Sequence, residues 1–149
     1  MAETTIRWQA VTRIVELARE RPELADVNVT PIYPGDEAGA ECVYLGDLAG
    51  PLSVPVTRAQ DARVTYDDKF DITWAIEVWG TDADTTMARA AQIVAALQDV
   101  IATESQLDDL DGVVTARITD QNGPLGTDTR NGILAVAQVV VSVLARYTS

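Results

Sequence analysis

The clearest hydrophobic pattern lies in residues 67–80, DDKFDITWAIEVWG, where apolar and polar side chains alternate. One side of an extended chain would carry Phe70, Ile72, Trp74, Ile76 and Val78, and the other Asp71, Thr73, Ala75, Glu77 and Trp79. This alternation predicts a strand over residues 63–79 with one buried face. Trp79 is unexpected on the polar face, and it raises the question whether that face meets another subunit.

Two segments have apolar residues at helical spacing. Residues 4–20 form the first, with Trp8 and Leu17 flanking a stripe of Ile6, Val11, Ile14, Val15 and Ala18. Residues 84–103 form the second, with a stripe of Met87, Ala90, Ala91, Val94, Leu97 and Ile101. Asp82 or Asp84 is expected to cap this second helix at its N-terminus.

The remaining apolar runs predict four more strands, at residues 26–34, 41–48, 113–120 and 133–147. In the second of these, Cys42, Tyr44 and Leu48 should share one face, opposite Val43 and Leu45. Residues 49–62 read as a loop or poorly formed strand, and 35–40 and 121–132 as polar loops. The order α-β-β-(β)-β-α-β-β predicts one domain of α+β class, with two helices packed on a mostly antiparallel sheet.

The last strand is apolar on both of its faces. One face carries Ile133, Ala135, Ala137, Val139, Val141, Val143 and Ala145, and much of the other carries Leu134, Val136, Val140 and Leu144. A sheet covered by helices on one face does not need this pattern. Either helices pack on both faces of a central, well-buried strand, or the second face meets another subunit.

Composition narrows the function. The chain of 149 residues has 23 acidic and 11 basic residues, a net charge of −12. It therefore lacks the basic footprint of a nucleic-acid binder. Its start, MAETTIRWQA, does not look like a signal peptide, and its longest apolar run, residues 133–145, is too short to span a bilayer. These features favour a cytoplasmic protein.

The sequence offers little catalytic chemistry. It has no histidine and no phosphate-binding glycine motif, and its single cysteine, Cys42, lies in a strand pattern typical of a buried inert thiol. Two acidic groups, Asp67/Asp68/Asp71 and Asp108/Asp109/Asp111, could bind a divalent cation, but their spacing favours turns and helix caps. We expect no catalytic residue, cofactor or metal, and hence no enzyme. A small-ligand-binding or enzymatic α+β domain remains the remote alternative.

Several stretches together resemble a known family. They are the N-terminal amphipathic helix, VNVTPIYP at 27–34, VYLGD at 43–47, the FDITWAIEVWG strand, the helix after TDAD, and the hairpin ending in VAQVVVSVLARY. In this order they are similar to the tail terminator proteins of long-tailed, siphovirus-type phages, typified by the lambda tail terminator. The resemblance covers nearly the whole chain.

The resemblance implies a structural virion protein without catalytic residues. Such proteins form a ring of six copies that caps the tail tube, ends tube polymerisation and joins the tail to the head. The implied partners are other copies of the chain, the major tail tube protein and the head connector or head-closure protein. DNA would pass through the lumen without specific binding, which suits an acidic chain. The protein would be assembled in the host cytoplasm and reside in the neck region of the virion. Another neck protein, for head closure or tail completion, is the nearest alternative.

Candidate contact residues follow from these expectations. Trp79 is expected at a subunit boundary, with Trp8 and Tyr33 as further candidates, although Trp79 could instead belong to the core. The loop 34–40 and the loop 121–132, which contains Asn122, Leu125 and Arg130, are candidates for contact with the tube or connector.

Overall fold

Two helices lie on one face of a mixed sheet in the computed structural model, which describes residues 3–35, 39–51, 54–58 and 64–148. In chain order the elements are α1 (Glu3–Arg19), a short 3-10 helix (Pro22–Leu24), β1 (Asn28–Thr30), β2 (Glu41–Ala49), β3 (Val54–Arg58), β4 (Val64–Gly80), α2 (Ala83–Thr103), β5 (Val113–Thr129) and β6 (Gly132–Thr148). The predicted α+β class and order of elements are confirmed.

The strands lie side by side in the order β1-β2-β4-β6-β5, and β3 pairs with β4 beyond the end of β2. The pairing of β4 with β6 is antiparallel and continuous from Thr65 opposite Thr148 to Gly80 opposite Ile133. Only the short β1 runs parallel to its neighbour among the described strands. The last strand is therefore central in the sheet, and β5 and β1 are its edges.

The core lies between the helices and one sheet face, which we call the helix-covered face. The even-numbered side chains of β4 from Phe70 to Val78 are buried there, as predicted, and Trp74 is only 1% exposed. The odd-numbered side chains of β6 face the same way and are buried from Ala135 to Ala145. The helices contribute Ile6, Ala10, Val11, Ile14, Val15, Leu17 and Ala18 from α1, and Ala90, Ile93, Val94, Ala96, Leu97, Val100 and Ile101 from α2.

The second helix buries a wider stripe than its sequence predicts. Ala91 is exposed, so its assignment to the stripe is wrong, whereas Ile93, Ala96 and Val100 are buried in addition. The helix packs against β4, β5 and β6 at once, which requires more than a narrow apolar seam. Its N-cap is Asp82, whose carboxylate accepts a hydrogen bond from the backbone N–H of Thr85 at 2.9 Å.

The predicted polar loop at 121–132 is wrong. Strand β5 continues through it to Thr129, and only Arg130 and Asn131 form the turn. Gly, Pro and Asp disfavour strands, but here the long Val-rich β6 supplies a pairing partner and overrides local preference. Because β5 is an edge strand, it tolerates Pro124, and Gly123 adopts a φ of +83° where the register shifts.

Two earlier strand predictions also need correction. The strand predicted over 26–34 is confined to β1, which ends before Pro31 at the sheet edge. In β2, a bulge at Gly46 turns Leu48 to the helix-covered face, with Val43 and Leu45, and not to the face of Cys42 and Tyr44 as predicted. Residues 36–38 of the predicted loop 34–40 lie outside the described residues.

Candidate subunit interface

The second face of the sheet, which we call the open face, is not covered by any element among the described residues. It carries the odd-numbered side chains of β4 and the even-numbered ones of β6. The described helices thus cover only one face of β6. This excludes the explanation that helices pack on both of its faces, and leaves contact with another subunit. The apolar side chains on this face are Trp79, Leu125, Leu134, Val136, Val140 and Leu144. An apolar row on an open sheet face is typical of a contact surface.

Trp79 lies on the open face near the end of β4, beside Leu134 in the neighbouring strand. Its ring is 38% exposed, so it does not belong to the buried core. The backbone holds this position, because the N–H of Trp79 donates to the carbonyl of Ala40 at 2.8 Å. An indole held in place and half in water has the form of an interface residue.

A groove of about 310 Å³ lies next to Trp79 on the same face. Its lining includes Tyr44, Glu77, Asn122, Leu125 and Gln138. The hydroxyl of Tyr44 donates to the Glu77 carboxylate. Burial and this hydrogen bond to a carboxylate both raise the pKa of Tyr44 above its ordinary value, so the phenol stays protonated as a donor.

Four of the six predicted contact residues lie at this end of the open face. Asn122 and Leu125 line the groove, and Leu125 is 67% exposed. Tyr33 packs edge to face on Tyr44, with ring centroids 5.0 Å apart. Trp79, opposite Leu134, is two residue pairs further along β4 and β6. The structure therefore brings together side chains that are up to 92 positions apart in the sequence, from 33 to 125.

The other two predicted residues lie elsewhere. Trp8 is exposed on α1, which packs against the helix-covered face, so it cannot join the surface around Trp79. Arg130 is exposed in the turn between β5 and β6, beyond the groove. The six predicted residues therefore do not lie in one contact patch.

A second groove, of about 610 Å³, crosses the opposite end of the open face. We call it the cationic groove, because Lys69 and Arg117 line it, with Lys69 opposite Leu144 and Arg117 opposite Ser142. Both cations are exposed. The sequence analysis did not select them, since a lone Lys and a lone Arg 48 positions apart become neighbours only when β4, β6 and β5 are in register.

Polar contacts tie the floor of the cationic groove across three strands. The Ser142 hydroxyl in β6 donates to the Asp71 carboxylate in β4 at 2.6 Å, and it lies 2.9 Å from the Thr119 hydroxyl in β5. The wall is formed by Gly50 and Pro51. The Arg7 guanidinium donates to the Pro51 carbonyl at 2.7 Å and holds that wall in place.

The acidic group at 67–71 is divided between the two faces. Asp67 pairs with Arg146 on the open face, at 2.7 Å, while the fully buried Asp68 pairs with Arg7 on the helix-covered face, at 2.6 Å. Asp71 accepts from Ser142. Across the part of the chain that the structure describes, no three His, Cys, Asp or Glu side chains are arranged to hold a metal ion.

Cys42 is buried, as predicted. Burial, and then the negative charge of Glu77, raise the pKa of its thiol to about 11. The thiolate is therefore scarce at neutral pH, and the thiol is a poor nucleophile.

Comparisons with known proteins give a likeness among solved structures. No protein-family model matches the sequence, and no curated protein matches it. Among solved structures, the chain is similar to a chain described as "Virion of native gene transfer agent (GTA) particle", with a TM-score of 0.65 and 12% sequence identity. The match covers 92% of this chain and 94% of that chain, so the two share a fold over almost their full lengths. None of the described helices is long and apolar enough to cross a membrane.

Proposed function

We propose that the protein is a structural component of a phage-type virion and has no enzymatic activity. The observation that carries this proposal is the full-length similarity of its fold to a chain of a gene transfer agent particle. The open face supports it independently, because exposed apolar side chains on a rigid sheet suit assembly more than catalysis. The raised pKa of the buried Cys42 thiol makes this cysteine a poor nucleophile.

Within that class, we propose a tail terminator. Six copies would form a ring on the finished tail tube, stop its growth and join it to the head connector or head-closure protein. The tail tube protein and other copies of this chain would be its direct partners. The net charge of −12 suits a lumen through which DNA slides without being held. The protein would then reside in the neck region of the tail, after assembly in the host cytoplasm.

Deletion of the gene from its source genome tests the proposal. Lysates of the deletion strain are imaged by negative-stain electron microscopy, with and without the wild-type gene supplied in trans. A terminator predicts filled heads beside detached tails of irregular, often excessive length, and complementation should restore uniform tails.

Other outcomes would assign the protein differently. Free tails of normal length beside leaking or tailless heads would indicate a head-closure or tail-completion protein instead. Intact infectious particles would reject a structural role in the virion and favour a ligand-binding or enzymatic domain.

A further inference from the structure

We infer that the cationic groove of one copy binds the acidic turn, residues 104–111, of the next copy. This inference rests on the proposed ring and names the two surfaces that would join its neighbours. The first observation is that some basic side chains of this acidic chain are paired with acids within the chain and others are not. Among the described side chains, five arginines form ion pairs within the chain, namely Arg7, Arg13, Arg21, Arg89 and Arg146.

Lys69 and Arg117 form no ion pair within the described residues, which is also true of Arg19 and Arg130, but of these four only Lys69 and Arg117 share one groove. Lys69 lies opposite Leu144 and Arg117 opposite Ser142, so the groove offers two cations beside a floor that contains the Leu144 side chain, the Ser142 hydroxyl and the Asp71 carboxylate. In a chain with 23 acidic and 11 basic residues, two such cations at one place are an uneven distribution. They favour an occupant that carries carboxylates beside a compact surface.

The acidic turn between α2 and β5 carries the negative charge that complements the two cations of the groove. It contains Glu104, Asp108, Asp109 and Asp111, and the three aspartates are exposed. Its shape is fixed, because Leu107 is buried beneath it and the Arg13 guanidinium donates to the carbonyls of Leu107 and Asp108 at 3.1 Å each. A preorganised acidic surface loses little conformational entropy on docking.

Within one chain the turn borders the groove, because the N–H of Ala116, between Thr115 and Arg117, donates to the carbonyl of Ser105 at 2.6 Å. Since the acids of the turn form no ion pair with Lys69 or Arg117 of the same chain among the described residues, the proposed occupant is the turn of a second copy, and the contact joins two different surfaces. A contact of this head-to-tail kind closes into a ring when the rotation between copies allows it.

The open face is large enough for such an interface. Strands β4, β6 and β5 have 17 residues each. At about 3.3 Å per residue and about 4.8 Å between strands, they span on the order of 800 Å². That area is about what each partner buries in a specific protein interface.

Charge reversal at both surfaces tests the inference. Self-association of the purified chain is measured by sedimentation equilibrium up to about 1 mM, the range of weak specific contacts. Lys69→Glu/Arg117→Glu should weaken it about tenfold or more, and Glu104→Arg/Asp111→Arg should do the same. A mixture of these two variants, or the fourfold variant, should recover association. The control Glu20→Arg/Glu23→Arg, at exposed acids of the α1 end, should leave association unchanged.

The single lysine gives a second readout. An amine-specific reagent followed by mass spectrometry reports the exposure of Lys69 alone among the side chains. Its modification rate should fall at concentrations where the wild type associates, and it should not fall in Glu104→Arg/Asp111→Arg. Circular dichroism and unfolding midpoints check that every variant folds.

Several outcomes would overturn the inference. The first is a wild type that stays monomeric up to about 1 mM. The second is a failure of the fourfold variant to recover self-association, or its recovery by Glu20→Arg/Glu23→Arg instead. The third is duplex DNA binding that depends on Lys69 and Arg117 while self-association does not. The deletion strain separates this inference from the proposed function. If Lys69→Glu/Arg117→Glu complements tail assembly fully, the groove contact is rejected and the terminator proposal stands.

Discussion

The two faces of β4 carry tryptophans five positions apart that lie in opposite surroundings. Trp74 is in the core on the helix-covered face, whereas Trp79 is 38% exposed on the open face. The same strand alternation places both, yet only one ring contributes fully to the folded monomer. The comparison teaches that folding and assembly are separated here by face, so substitutions on the two faces should affect different measurements.

Adjacent aspartates repeat the comparison with charges. Asp68 is fully buried and receives two hydrogen bonds from Arg7, at 2.6 and 3.0 Å. Asp67 receives two from Arg146, at 2.7 and 3.2 Å, but on the solvent side of the sheet. Removing one partner of a buried ion pair leaves an unpaired charge in the core and lowers stability. At an exposed pair, water readily takes the place of the missing partner.

The largest expected effect is that of Trp74→Ala, which should lower the free energy of unfolding by about 3–5 kcal/mol. The cause is a cavity in the middle of the core, which the rigid strands cannot close. Urea unfolding monitored by circular dichroism measures the change, and Trp74→Phe should cost less. A loss below about 1 kcal/mol would mean that the helix-covered face is not a tightly packed core.

Arg7→Ala should follow, with a loss of about 3 kcal/mol, because it leaves the Asp68 carboxylate buried without its partner. Adding Asp68→Asn in the same chain should recover part of the loss. Arg146→Ala, its counterpart on the open face, should scarcely move the urea midpoint. Equal losses from the two arginines would erase the proposed difference between the faces.

Trp79→Ala tests the open face, where a substitution should affect assembly more than folding. The free energy of unfolding should fall by on the order of 1–2 kcal/mol, clearly less than in Trp74→Ala, because the residue is 38% exposed in the monomer and only part of its apolar surface is covered. Self-association, measured by sedimentation equilibrium, should weaken. A loss of stability as large as that in Trp74→Ala would place the role of Trp79 in the fold and not in a subunit contact.

The smallest expected effect is on the stability of the protein at low pH. Hydrogen bonds from Arg146 hold the pKa of Asp67 below its ordinary value of 3.8. Its contribution to stability is therefore complete above pH 3.8 and lost as pH falls through the lower pKa of the folded state. Thermal unfolding below pH 4 should show a shallower pH dependence in Arg146→Ala than in the wild type. Identical slopes would show that this pair does not persist in solution.

The order of elements and much of the core could be predicted from the sequence, because long periodic segments such as 63–79 are dictated by which side chains avoid water. The continuation of β5 through 121–129 could not, since its local composition favours a loop and only pairing with β6 makes it a strand. The bulge at Gly46 was equally hidden, because one inserted residue reverses the faces of everything after it.

The candidate interface was predictable only in part. Trp79 stood out because it breaks the polar half of an alternating pattern, and the structure places it on the open face. Lys69 and Arg117 gave no such signal, since exposed cations fit any surface strand. Trp8 is exposed on α1, away from the open face, and its role as a contact residue stays a prediction, because an aromatic flanking a helical stripe says nothing about which layer of the fold it will face.

The central position of β6 has a consequence for synthesis. On the ribosome, β4 emerges long before residues 132–148, which pair with it along its whole length. Until then its apolar side chains have only β2 and β3 as strand partners, and β5 has no place in the sheet. The nascent chain therefore carries an incomplete sheet with exposed apolar surface from the emergence of β4 until residues 132–148 follow. Completion of the sheet waits for its last described strand, and the open face becomes a continuous surface only after that step.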